Sequence, residues 1–160
     1  MRERLTARVL LFDHQDRLLL MKGRLPGAPD APGDWFTVGG GAEPGETEFQ
    51  AAEREILEET GFTDVELGPV VWRREGPLAL AGGEMVLFKE RYIVARCAGG
   101  EPSREGWDEQ ERALIDDIRW WTLEELKATE EVAHPVGLAD LLGDILAGRL
   151  PEDPLDIALR

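Results

Sequence analysis

Glu55, Glu58 and Glu59 stand at i, i+3 and i+4 in the run Arg54-Glu55-Ile56-Leu57-Glu58-Glu59. On a helix these spacings bring the carboxylates to one face. There they repel one another unless something neutralises them. A hard divalent cation answers that need, because Mg²⁺ takes oxygen ligands and keeps waters and substrate phosphates in its shell. Upstream, Gly39-Gly40-Gly41 frees the backbone from side-chain sterics, so a backbone carbonyl can approach the same ion. Metal-holding carboxylates beside a phosphate site point to phosphoryl or pyrophosphate chemistry. A Glu-rich run is otherwise a solvated helix face, so the wider spacing has to decide.

That spacing runs Gly40, five residues, Glu46, seven residues, Arg54-Glu55-Ile56, one residue, Glu58-Glu59, one residue, Gly61-Phe62. It resembles the full signature of the Nudix (MutT-like) hydrolase family, with the aliphatic slot filled by Ile56 and the apolar slot by Phe62. The order of elements from about residue 4 to residue 148 is similar to that family as well. The resemblance implies an α/β fold, an α/β/α sandwich around a mixed β-sheet with the box as a loop–helix–loop. It implies hydrolysis of a nucleoside diphosphate linked to another moiety, with Mg²⁺ or Mn²⁺ as cofactor. It places the metal on Glu55, Glu58 and Glu59 and on the backbone carbonyl of Gly39. Glu46 adds an outer carboxylate, and Arg54 orients the acidic cluster, unless it is an ordinary helix salt bridge to Glu58. The general base in this family is a box Glu or a Glu from a later loop. Here the later candidates are Glu109 and Glu111, with Glu111 favoured over Glu105. Val38 stands where many members have a Pro before the Gly pair, a loss of stiffness that leaves the turn itself intact.

The elements that must carry these residues follow from patterning. Strands are predicted over 5–12, 17–21, 35–38, 65–73, 84–95 and 118–121. A helix is predicted over 46–60, free of Gly and Pro, with Phe49, Ala52 and Ile56 packing on the sheet and Gly61 as its stop. Thr122 is a candidate N-cap for a helix over 123–127, and an amphipathic helix is predicted over 135–148. Residues 24–33 and 98–106 read as loops. Residues 1–150 are expected to form one domain and 151–160 a tail, loose or docked.

Composition limits the partners. The formal net charge of −15, from 18 basic and 33 acidic residues, disfavours nucleic acid and anionic membrane surfaces. A lone cysteine, Cys97, and an N-terminus without a signal-peptide pattern suit the cytoplasm. The expected partner is a nucleotide-derived small molecule, and a homodimer is a family expectation. For the leaving moiety, Arg73-Arg74 is either a phosphate clamp or a solubilising pair. Trp35, Trp72 and Trp107 are either base-stacking platforms or core. Pro77 lies 15 positions after Phe62, about where ADP-ribose-hydrolysing members carry a Pro. ADP-ribose or another ADP-sugar is therefore the favoured substrate class. The alternatives are a nucleoside triphosphate pyrophosphohydrolase of the clean-up type and a non-catalytic nucleotide-binding module.

Overall fold

The computed structural model describes residues 1–24, 28, 30–80 and 82–157. Its strands are β1 (Arg2–Phe12), β2 (Leu18–Gly23), β3 (Asp34–Gly41), β4 (Glu66–Ala79), β5 (Met85–Arg96), β6 (Ile115–Trp121) and β7 (Leu155–Asp156). Its helices are α1 (Glu48–Thr60), α2 (Glu109–Leu114), α3 (Leu123–Ala128) and α4 (Leu138–Leu146). The strands form one mixed sheet in the order β6-β2-β3-β1-β5-β4-β7. β1 runs parallel to β5 and β4 parallel to β7, and the other neighbours are antiparallel.

The sheet is covered on both sides, which is why 9–12 and 18–21 read as unbroken apolar runs rather than alternating ones. Successive side chains point to opposite faces. Val9, Leu11, Leu19, Met21 and Ile93 meet Ala51, Ala52 and Ile56 of α1. Leu10, Phe12, Leu18 and Leu20 meet Leu126 of α3 and Leu138, Leu142 and Ile145 of α4. The result is the expected α/β/α sandwich. Each large side chain buried this way contributes about 1.5–3 kcal/mol.

Several boundaries differ from the sequence reading. α1 starts at Glu48, because Thr47 caps it: its side chain accepts from Gln50 N–H while Gln50 reaches back to the Thr47 N–H. Glu46 is thus left outside the helix. Gly61 ends α1 with φ 75°, its N–H donating to Leu57 O. Phe49 is 38% exposed rather than packed. At about 100° per residue it lies on the flank of a stripe centred on Ala52, Glu55 and Glu59. Helix α2 falls just beyond the loop expected over 98–106, with Asp108 and Glu111 forming a capping box. Helix α4 is shorter than 135–148. The segment after α4 docks: Leu155 and Asp156 pair with β4, and Ile157 is buried. In the loop expected over 24–33, Leu25, Pro26, Gly27 and Pro29 lie outside the described residues.

Candidate catalytic site

The glycine turn is the end of β3, where Gly39, Gly40 and Gly41 pair with Arg8, Ala7 and Thr6 of β1. Gly39 has φ 139°, and a Cβ there would strike the Ala7 carbonyl. A Cβ on Gly40 would strike the Glu55 carboxylate. Glycine at position 40 therefore lets α1 lay its acidic stripe directly on the strand, and glycine at position 39 lets β3 take its positive φ against β1. The Gly39 N–H donates to Glu59 Oε1 at 2.8 Å.

Arg54 ties the turn to the helix. Its Nε donates to Glu46 Oε2 at 3.0 Å and its Nη2 to Glu46 Oε1 at 2.9 Å. Nη2 also reaches the Gly41 carbonyl at 2.9 Å, and Nη1 reaches Glu55 at 3.0 Å and Glu58 at 3.4 Å. The Glu46 carboxyl is held below the usual range chiefly by Arg54. Glu46 is committed to orienting Arg54, and Arg54 to orienting Glu55. The Glu58 pairing expected of an ordinary helix salt bridge is the longest of these contacts.

The acidic residues of the stripe are not equivalent. Glu59 is 4% exposed, whereas the Glu58 side chain is 46% exposed. Helical geometry explains this, since i+3 and i+4 fall on opposite sides of Glu55 and only Glu59 turns toward the sheet. Burial drives the Glu59 carboxyl well above its ordinary value, against the single Gly39 N–H, and repulsion from Glu55 and Glu111 adds to it. Burial also raises Glu55; Arg54 opposes this, while Glu58 and Glu111 reinforce it. Among the described residues, no three acidic, His or Cys side chains converge closely enough to cage a metal unaided. The donor set still fits a hard cation, because a buried and a half-buried carboxylate that repel each other are what such an ion relieves. Mg²⁺ characteristically takes its remaining oxygens from water and substrate phosphate.

Glu111 reaches this cluster through the loop before α2. Ser103 N–H donates to Thr60 O at 2.7 Å, and Trp107 Nε1 donates to Glu59 O at 2.7 Å. Both cap the C-terminal carbonyls of α1. Arg112 grips the loop from below, donating to the carbonyls of Trp107 and Arg104. Burial raises the Glu111 carboxyl, opposed by the Asp108 N–H and helped by repulsion from Asp108 and Glu58. Glu105 and Glu109 are exposed. The signal for this placement was present in the sequence as Asp108-x-x-Glu111, a capping-box spacing.

A cavity of about 460 Å³ opens beside the turn, lined among others by Arg8, Phe36, Thr37, Arg74, Glu90 and His134. It corrects two expectations about substrate-binding residues. Adjacent strand residues face opposite ways, so Arg73 and Arg74 do not form one clamp. Arg74 lines the cavity and is held by Glu90, through Nε at 3.1 Å and Nη2 at 3.0 Å. Arg73 is exposed, and its carbonyl accepts from Ile157 N–H. Trp35 is 2% exposed and packs edge-on against Trp121, so it is core and not a stacking platform. Trp72 and Trp107 are buried too. The aromatic walls of the cavity are Phe36 and Tyr92. The reading of the sequence missed Arg8, whose signal was the one charge within the largely apolar stretch 5–12.

Comparison with known proteins agrees with this fold. The family model of the NUDIX domain matches residues 2–141. A NUDIX hydrolase from Nitrosomonas europaea superposes with a TM-score of 0.61 at 23% identity, covering 93% of this chain and 92% of that one. An ADP-ribose pyrophosphatase from Streptococcus suis gives 0.59 at 18%, covering 96% of each chain. The NUDIX domain of Shewanella oneidensis NrtR, solved in complex with ADP ribose, gives 0.65 at 17%, covering 91% and 90%.

Proposed function

The chain belongs to the NUDIX family and is a pyrophosphohydrolase of that family, and we propose that it cleaves the phosphoanhydride of a nucleoside diphosphate linked to another moiety, with ADP-ribose or another ADP-sugar as its substrate class. The observation that carries the reading is the state of Glu59: a buried carboxylate given one N–H and set against Glu55 and Glu111. A fold tolerates that conflict where a cation resolves it. Glu55 and Glu59 would hold Mg²⁺ or Mn²⁺, with Glu58 on the exposed flank and the Gly39 carbonyl as a backbone ligand. When bound, the metal neutralises diphosphate oxygens and makes a water acidic enough to attack.

The protein's own residues do the rest. Arg54, fixed by Glu46, holds Glu55 and Glu58 in register with the turn. Glu111 is the proton acceptor for the attacking water: burial raises its carboxyl above the ordinary value, and it follows a loop pinned to α1. The adjoining cavity receives the nucleotide between Phe36 and Arg74. The choice of ADP-ribose over triphosphates is supported by the position of Pro77 and by the similarity to a structure solved with ADP ribose.

The test is a hydrolysis screen of wild type and Glu59→Gln with Mg²⁺ or Mn²⁺. The panel holds ADP-ribose, nucleotide sugars, dinucleoside polyphosphates and nucleoside triphosphates, with products identified by mass. Metal-dependent release of AMP from ADP-ribose by wild type alone is the expected result. Cleavage of triphosphates alone would overturn the substrate class. Silence across the panel, or a fully active Glu59→Gln, would overturn the site.

A further inference from the structure

The cavity lined by Arg8, Arg74 and Phe36 contains a cation that the fold leaves uncommitted. Arg8 projects from the middle of β1, with Gly39 across one strand boundary and Tyr92 across the other. Ala7, Val9 and Leu10 around it are fully buried, and Arg8 is half-buried. Among the described residues its guanidinium makes no hydrogen bond and no ion pair. The other arginines of the cavity are engaged: Arg74 by Glu90, and Arg24 by Asp116 and the Ala113 carbonyl. Glu90 is also met by the Tyr92 hydroxyl at 3.3 Å, so its oxygens are occupied.

Partly burying a guanidinium without a counter-ion is unfavourable, and it is left so in a chain with 33 acidic residues. Arg8 shares its face of the sheet with Leu10 and Phe12, opposite α1. Yet it lies within electrostatic range of Glu59, because Gly39, its strand neighbour, is the residue that holds Glu59.

We propose that Arg8 is the anion-binding residue of this cavity and grips a substrate phosphate from the sheet face opposite the acidic helix. This rests on the nucleoside-diphosphate reading and narrows it. The substrate must present phosphate oxygens in two directions, toward Glu55 and Glu59 and toward Arg8. A guanidinium suits the second task because its fork can hold two oxygens of one phosphate.

The test compares wild type with Arg8→Gln, Arg8→Lys and Arg73→Gln in steady-state hydrolysis of the best substrate from the panel. A calorimetric titration in EDTA with ADP and with adenosine accompanies it. Arg8→Gln is expected to raise KM about 10- to 100-fold and change kcat by less than about 3-fold. It is expected to weaken ADP by a similar factor and leave adenosine unchanged, while Arg8→Lys recovers part of the loss and Arg73→Gln behaves as wild type. An unchanged KM and ADP affinity in Arg8→Gln would overturn the proposal, as would equal weakening of ADP and adenosine. If Arg8→Gln does not fold, an unchanged ADP affinity in Arg8→Lys overturns it instead. A wild type that cleaves nothing defeats the enzymatic reading, and the ADP titration then still decides on Arg8. An active wild type with an indifferent Arg8→Gln defeats only the Arg8 assignment.

Discussion

Asp13 and Glu59 are both buried carboxylates, and the protein treats them in opposite ways. Asp13 closes the turn between β1 and β2. Its Oδ1 accepts from Gln15 N–H and Arg17 N–H, each at 2.9 Å, and its Oδ2 accepts from Arg17 Nε at 2.8 Å. Burial alone would raise its carboxyl, yet these bonds and the Arg17 charge overcome burial and hold it below its ordinary value. Glu59 has one N–H and two like-charged neighbours, and its carboxyl is driven up. The first is a finished structural joint. The second is left in conflict with its surroundings, and it is the one to which the proposed function gives a cation.

The contrast can be broken at its ends. Glu59→Gln keeps shape and an acceptor for the Gly39 N–H but removes the charge. It is expected to lower kcat by about 10³-fold or more in metal-supported hydrolysis. Glu111→Gln is expected to lose about 10²-fold, with a flattened acidic limb in the pH–rate profile. A loss no greater than about 3-fold would return the proton to a box glutamate such as Glu58. Asp13→Ala should leave kcat nearly intact at low temperature. It strands two N–H groups and Arg17, and is expected to cost about 2–3 kcal/mol in urea unfolding.

The two sites also predict opposite pH dependence. A depressed native carboxyl contributes stability that is full above its unfolded value and is lost as pH falls. The Asp13 contribution should therefore fade below about pH 3.8. A raised native carboxyl does the reverse, and metal-free protein should lose stability as pH climbs past 4.5 through the raised Glu59 value. In EDTA at pH 7, Glu59→Gln should thus melt about 2–4 °C above wild type, the shift that roughly 1 kcal/mol gives at this size. The gap should close toward pH 4.5. An equal or lower Tm for Glu59→Gln at pH 7 would erase the distinction drawn between the two carboxylates.

The features legible in the residues alone are local ones. The helix over most of 46–60, its stop at Gly61, the glycine turn and the acidic spacing all follow from short-range rules, and each stands where those rules put it. Even Glu111's helix was written in the Asp108-x-x-Glu111 pattern. The tertiary structure alone decided which carboxylate is buried, because only the sheet beneath α1 distinguishes Glu59 from Glu58. It alone turned Trp35 inward, parted Arg73 from Arg74, and set Arg8 in the wall of a cavity that strands β1 to β5 all help to line. Strand faces alternate with a period of two, so a residue's role depends on register with partners tens of positions away, and no local spacing encodes that register.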